Sequence, residues 1–129
     1  MLAIDTNVVV RYLTGDHPEQ SAKARRIVDE QSVFVATTVL LEVEWVLRSA
    51  RGYRPDALAA ALTAFAGLPT VTLESPVAVS SALDAMASGL DFADALHLAA
   101  ARDCEAFVTF DQALVKLASK LDGVLARAP

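Results

Sequence analysis

Short apolar runs alternate along the chain with longer stretches in which apolar residues recur at helical spacing. The run Leu2 to Ile4 ends at Asp5, and residues 8–13 then repeat with the period of a helix until Gly15. The same pattern predicts further strands at residues 33–36, 70–73, 106–109 and, at an edge, 124–126. The segments between them predict helices at residues 19–31, 39–51, 55–66, 76–88, 92–102 and 112–120.

Strands separated by helices predict right-handed crossovers and therefore parallel pairing. We expect an α/β fold, a three-layer sandwich whose central parallel sheet has about five short strands. With 129 residues, the chain fits a single domain over residues 1–129. No apolar run reaches the length of a membrane span, and no signal-like segment precedes Asp5, which predicts a cytoplasmic protein.

Charge and cysteine content exclude several classes of function. The single Cys104 excludes an internal disulfide and a thiolate zinc cluster. A net charge of −5 argues against a protein that holds nucleic acid by a broad basic surface. Basic residues do gather at 23–26 and 48–54, either as solvated helix faces or as local contacts that steer a phosphate backbone.

Acidic residues follow the predicted strands. Asp5 comes directly after the first strand, Glu42 lies in the helix after the second, and Asp111 follows the strand at 106–109. Asp94 begins the helix that leads into that last strand. Ligands of parallel sheets bind at the carboxyl ends of the strands, so Asp5, Glu42 and Asp111 predict a common site, with Asp94 as a fourth candidate.

Each aspartate also has a simpler interpretation. An aspartate at a helix start caps free N–H groups, and this alone explains Asp5 or Asp111 taken singly. Asp91 and Asp94 form a pair that resembles a capping box, with Asp91 as the cap and Asp94 reaching back. We therefore assign Asp91 to capping.

Glu42 has mostly apolar neighbours three and four residues away, so we expect it to be buried without a basic partner. A buried carboxylate needs compensation, which a metal ion supplies. Glu44 points about 200° away around the helix, and we expect it to be an outer or inter-subunit residue.

Carboxylates without histidine or cysteine partners favour Mg²⁺ or Mn²⁺ over Zn²⁺. Such a cluster can activate water and hydrolyse a phosphodiester. Thr6, Asn7 and Thr109 lie beside the acids and either orient them or make ordinary turn hydrogen bonds.

His97 lies one helical turn after Asp94, where it either contacts phosphate or packs as a hydrogen-bonded side chain; we favour packing. Four aromatic residues recur with aliphatic neighbours, and we expect them to be core residues rather than residues that stack on bases. They are Trp45, Phe65, Phe92 and Phe107.

Four blocks of this sequence, in order and spacing, resemble the PIN domain, and within it the VapC-type toxins of bacterial toxin-antitoxin pairs. The blocks are Ile4-Asp5-Thr6-Asn7, residues 38–42, Asp91 to His97, and Thr109-Phe110-Asp111. The resemblance covers essentially the whole chain. Gln112 departs from it, because similar proteins often have another polar or aromatic residue there.

The resemblance implies metal-dependent cleavage of RNA, with Mg²⁺ or Mn²⁺ bound by Asp5, Glu42, Asp94 and Asp111. Thr6, Asn7 and Thr109 would support these ligands. It also implies a homodimer that forms a higher hetero-oligomer with a VapB-like antitoxin, whose inserted segment, often carrying arginine, occupies the acidic pocket.

Two other classes of function are weighed against this one. An α/β phosphatase or phospho-acceptor domain also has an aspartate after its first strand, but it needs a second one two residues on, where this chain has Asn7. It would otherwise need a lysine after a late strand, and Lys116 lies too far into its helix. A non-catalytic module would use the acidic pocket only to bind a basic peptide.

Overall fold

The structure is a computed structural model that describes all residues from Met1 to Pro129. It consists of two compact units, Met1–Pro76 and Val77–Pro129. Each unit is described below by itself. None of the helices is long and apolar enough to span a membrane.

The first unit contains a parallel sheet and four helices. In chain order its elements are β1 (Leu2–Ala3), α1 (Thr6–Thr14), α2 (Pro18–Glu30), β2 (Val33–Val35), α3 (Thr37–Ser49), α4 (Pro55–Ala66) and β3 (Val71–Leu73). The strand order is β1-β2-β3, and both pairs are parallel, with Leu2 opposite Val33 and Val33 opposite Val71. The carboxyl ends of the three strands therefore lie at one edge of this sheet.

Local sequence sets the limits of these helices. Pro18 and Pro55 stand at the first helical positions of α2 and α4, where the missing N–H has no partner to lose. Gly15 ends α1 in the left-handed conformation, with φ of 64°, and its N–H donates to the Arg11 carbonyl. Apolar side chains on β2 and on one face of each helix are buried, among them Val35, Leu47 and Phe65.

The second unit contains three helices and a pair of parallel strands. Its elements are α5 (Pro76–Ala87, which begins at the last residue of the first unit), α6 (Phe92–Ala100), β4 (Phe107–Val108), α7 (Gln112–Ala118) and β5 (Ala126–Arg127). Phe107 pairs with Ala126, and Val108 pairs with Arg127. The buried side of α6 includes Phe92 and Ala95.

The predicted α/β class and the parallel pairing are confirmed. The five strands are hydrogen-bonded as a set of three and a set of two, whereas we expected one sheet. The edge strand is Ala126–Arg127 rather than residues 124–126. That residues 1–129 form a single domain stays a prediction.

The start of α3 differs from expectation. The sequence predicts a cap from Thr37 or Thr38, but the N-cap residue is Ala36, which has no side chain able to cap. Glu74, directly after β3, caps the helix instead: its Oε1 accepts a hydrogen bond from the Thr37 N–H at 2.9 Å. The prediction of a threonine cap was wrong because the capping oxygen comes from a neighbouring strand end, 37 residues away in sequence.

Candidate active site

Asp5 lies between β1 and α1, at the carboxyl end of its strand. Its Oδ1 accepts a hydrogen bond from the Thr6 N–H at 2.7 Å, and its carbonyl accepts from the N–H groups of Val8 and Val9. The side chain is exposed. Asp5 is therefore a helix cap whose carboxylate also remains accessible to a ligand, so the two interpretations of this residue are compatible.

Thr6 connects Asp5 to Glu42. The Thr6 side chain is buried, and its hydroxyl donates a hydrogen bond to Oε1 of Glu42 on α3. Since Thr6 follows Asp5 directly, this contact holds the Glu42 carboxylate beside the end of β1. The first unit thus brings together Asp5, Thr6 and Glu42, three of the residues selected from the sequence.

The reason given for selecting Glu42 was wrong. Glu42 is exposed, while Glu44 is only 2% exposed. The buried carboxylate of Glu44 accepts hydrogen bonds from Nε of Arg48 at 2.9 Å and from its second terminal nitrogen at 3.3 Å. The expectation that Glu44 faces outward is therefore also wrong. Both residues have apolar neighbours in sequence, and only the packing of α3 determines which of them is buried.

Asn7 lines a cavity of about 300 Å³ between α1 and α2. Two basic residues, Arg11 and Lys23, and apolar residues that include Val8 and Ile27 also line this cavity. Nε of Arg11 donates to Gln20 at 2.9 Å, which fixes the guanidinium at the cavity wall. Arg11 also pairs with Asp16 at 3.0 Å, and Lys23 pairs with Glu19 at 3.3 Å, so acids of the first unit already compensate both cations of this cavity.

In the second unit, Asp91 and Asp94 lie at the start of α6. Asp91 is the N-cap residue, and its Oδ2 accepts a hydrogen bond from the Asp94 N–H at 3.4 Å. This confirms the capping assignment of Asp91. The Asp94 side chain is half-buried.

The electrostatics around Asp94 indicate a concentration of negative charge. Partial burial raises the pKa of Asp94, and the negative charges of Asp91 and Asp111 raise it further, while His97 acts in the opposite direction. The charge of Asp111 is thus close enough to affect the ionisation of Asp94. This neighbourhood favours a cation.

Asp111 lies between β4 and α7. It caps α7, since its Oδ1 accepts from the Leu114 N–H at 3.0 Å. The Asp111 N–H in turn donates to the Thr109 hydroxyl oxygen at 3.0 Å. This is the ordinary turn hydrogen bond weighed for Thr109, and it fixes the backbone of Asp111; a role of Thr109 in orienting the carboxylate stays a prediction.

The aromatic residues fall into two groups. Phe65 and Phe92 are buried as expected, but Trp45 is 57% exposed, so its assignment to the core was wrong. Trp45 follows Glu44 on α3 and points to solvent because Glu44 takes the inner position. His97 is exposed and stacks on Phe107, with the two ring planes 11° apart. The His97 side chain therefore packs as expected, but against an aromatic ring and without a hydrogen bond.

The donor chemistry of the candidate ligands suits a hard cation, since all four are carboxylates. Within neither unit do three histidine, cysteine, aspartate or glutamate side chains converge at metal-ligand distances. Asp5 and Glu42 belong to the first unit, and Asp94 and Asp111 to the second. The residues present therefore fit Mg²⁺ or Mn²⁺ by donor type, with a pair of candidate ligands in each unit.

Comparison with known protein families identifies the chain. The family model described as the PIN domain matches residues 2–120, a match that runs through both units. The chain therefore belongs to the PIN-domain family. PIN domains are generally metal-dependent nucleases. No curated protein matches the chain.

Proposed function

We propose that this chain is an endoribonuclease that hydrolyses phosphodiester bonds of single-stranded RNA with the help of Mg²⁺ or Mn²⁺. The observation that supports this most strongly is the environment of Asp94 in a family of nucleases, where partial burial and then the charges of Asp91 and Asp111 raise its pKa. A cluster of this kind is costly unless a cation compensates it.

In this proposal Asp5, Glu42, Asp94 and Asp111 provide the oxygen ligands. A bound divalent cation would polarise the phosphate and lower the pKa of a water molecule. Thr6 holds the Glu42 carboxylate through its hydroxyl, and Thr109 holds the backbone of Asp111. These hydrogen bonds fix the ligands before substrate binds, which lowers the reorganisation needed in the reaction.

Hydrolysis requires that a water oxygen bond to phosphorus while the bond from phosphorus to the leaving ribose oxygen breaks. The water gives up a proton, and the leaving oxygen accepts one. The exposed carboxylates of Asp5 and Glu42 are suited to orient the attacking water by accepting its hydrogen bonds. Arg11 and Lys23 line the cavity beside Asn7 and would contact phosphates further along the strand by exchanging their partners Asp16 and Glu19.

A cleavage assay on single-stranded RNA tests this function. Mg²⁺ or Mn²⁺ should support cleavage, and EDTA should abolish it. Asp5→Asn and Asp94→Asn should each lower the rate by about 100-fold or more, because each removes a ligand charge. Asp91→Asn is the matched control, since asparagine still caps α6 and should retain most activity. Full activity in excess EDTA, or equal losses at positions 91 and 94, would overturn the proposal.

We further propose that the chain is the toxin of a VapBC-type pair, a homodimer inhibited by an antitoxin. Several carboxylates without metal attract an arginine side chain, whose guanidinium pairs with two oxygens at once. An antitoxin arginine and the cation would then compete for the same ligands. In the cleavage assay, the antitoxin encoded next to this chain should inhibit, and raising Mg²⁺ should relieve the inhibition. Inhibition that is insensitive to Mg²⁺ would mean that the antitoxin and the cation bind at different sites.

A non-catalytic module that only binds a basic peptide is the remaining alternative. It predicts peptide binding without any RNA cleavage under the same conditions, so the metal titration of the cleavage assay distinguishes it from the proposed nuclease.

A further inference from the structure

Phe110 is the most exposed large apolar side chain of the chain, at 88%. It stands between Thr109 and Asp111, directly after β4. A single exposed apolar side chain is ordinary on a protein surface, so the position of this ring next to Asp111, and not its exposure alone, points to a ligand. Phe110 was not among the residues selected from the sequence, although it lies within the Thr109-Phe110-Asp111 block.

The backbone on both sides of Phe110 is fixed. Before it, the Thr109 N–H donates to the Arg127 carbonyl at 3.0 Å. After it, the Asp111 N–H donates to the Thr109 hydroxyl oxygen, and Asp111 caps α7. The ring is therefore presented to solvent from a hydrogen-bonded turn, and not from a frayed end of the chain.

The β4–β5 pair that precedes Phe110 has one exposed and one more covered face. Successive side chains of a strand point to opposite faces. Ala126 is buried, and its register partner Phe107 is partly buried and stacks on His97. Val108, at 50% exposure, is on the other face, together with its exposed register partner Arg127.

We propose that Phe110 is a base-stacking residue that positions single-stranded RNA next to Asp111. This inference rests on the proposed nuclease function. Phe110 is the immediate neighbour of a candidate metal ligand, so a nucleotide whose phosphate lies at Asp111 has a base within reach of the ring. Aromatic rings stack on any base, because every base has a π face, and Arg127 supplies a cation for the backbone nearby.

The charge of the surroundings favours RNA over an apolar protein segment. Asp111, next to Phe110 in the chain, carries negative charge, and covering it with an apolar protein surface would remove it from water without compensation. This charge also repels RNA phosphates unless a divalent cation is bound, so stacking of RNA here requires the cation of the proposed function. Nucleic acid leaves the carboxylates hydrated or bound to cations while one face of its base covers the ring. A second protein copy on this face is the alternative that the experiment must detect.

Two substitutions separate aromatic stacking from apolar contact. Phe110→Trp keeps a stacking ring, and Phe110→Leu keeps an apolar side chain without one. With Mg²⁺, Phe110→Leu should raise the KM for single-stranded RNA about 10-fold and change kcat little, because it removes binding and leaves the ligands intact. Phe110→Trp should retain the wild-type KM. Val77→Ala, which shortens an exposed apolar residue on α5, is the control and should change neither constant.

A direct readout uses RNA that contains 2-aminopurine, whose fluorescence is quenched when the base stacks. Measured in the Asp94→Asn background, quenching should persist with Phe110→Trp and disappear with Phe110→Leu. An unchanged KM or unchanged quenching in Phe110→Leu would overturn the inference. A change in the molar mass of Phe110→Leu, measured by light scattering, would also overturn it, because this face would then serve protein association. Absence of cleavage by the wild type would instead refute the proposed function, while the quenching measurement would still test the stacking.

Discussion

At the scale of single residues, hydrogen bonds of two kinds hold the acidic side chains, helix caps and contacts between side chains. The caps formed by Asp91 and Asp111 follow from their positions before helical segments, and both are confirmed. The burial of Glu44 in place of Glu42 depends on how α3 packs, which neighbours in sequence do not determine. The exposure of Trp45 has the same origin.

Asp94 provides a prediction about stability. Its pKa in the folded protein is raised, first by burial and then by Asp91 and Asp111. A raised pKa means that folding disfavours the ionised form, so the wild type loses stability as the pH rises above about 4, the pKa of an unfolded aspartate. Asp94→Asn removes this penalty. In EDTA at neutral pH the variant should melt about 1–3 °C above wild type.

The difference between the two proteins should shrink below about pH 4, where Asp94 is protonated in the folded and the unfolded state alike. Thermal melts across this pH range measure the effect. Asp84→Asn, at an exposed position of α5, is the control and should leave the melting temperature unchanged. If Asp94→Asn melts below wild type in EDTA at neutral pH, Asp94 acts only as a helix-start residue and the charge cluster has no energetic consequence.

At the scale of elements, the sequence was most informative where a residue acts on its own helix. Pro18, Pro55 and Gly15 mark helix limits that the structure contains. The Glu74 cap of α3 was missed because it depends on β3 lying beside β2, which no local pattern encodes. The salt bridge within α3 has a spacing that is visible in the sequence, but the expectation that Glu44 faces outward gave it no buried charge to stabilise.

This salt bridge gives a prediction about α3. Arg48→Ala leaves the carboxylate of Glu44, which is 2% exposed, without its ion-pair partner. Losing a partner of a buried charge should destabilise the fold by about 2 kcal/mol at neutral pH. Adding Glu44→Gln to Arg48→Ala should recover part of the loss, because the uncompensated charge is then absent. Urea denaturation of the two single variants and the double variant measures the coupling.

Lys23→Ala is the matched control, since it breaks a pair with Glu19 that has the same i,i+4 spacing but is largely exposed. Its effect should stay below about 0.5 kcal/mol. Equal losses of unfolding free energy in Arg48→Ala and Lys23→Ala would mean that the burial of Glu44 does not strengthen its pair with Arg48. The double variant would then show no recovery.

At the scale of the whole molecule, the class of fold was predictable because alternation of strands and helices allows few topologies. The division of the strands into a set of three and a set of two was not, since β1 and β4 have only two residues each. Strands this short carry too few positions for a pattern to specify their neighbours. What the sequence does predict for the whole chain is one domain with one metal site, and this requires a test of its own.

The chain contains one tryptophan and one cysteine, and they report on different units. Trp45 lies on α3 in the first unit, while the exposed Cys104 follows α6 in the second and accepts a fluorescent label. If residues 1–129 unfold as one domain, thermal melts followed by Trp45 fluorescence and by a Cys104 label should coincide. Mg²⁺ should raise both melting temperatures equally. At a Mg²⁺ concentration of 100 times its Kd, the free energy of unfolding should increase by about 2.7 kcal/mol.

Asp5→Asn makes this test specific, because it removes a candidate ligand from the first unit. Under the proposed function, Asp5→Asn should weaken the Mg²⁺-dependent shift reported by Cys104 in the second unit as much as the shift reported by Trp45. Asp84→Asn should leave both shifts unchanged. If Mg²⁺ moves only one of the two transitions, or if Asp5→Asn affects only the Trp45 signal, the acids of the two units do not bind the same cation, and a nuclease mechanism that uses all four carboxylates would have to be abandoned.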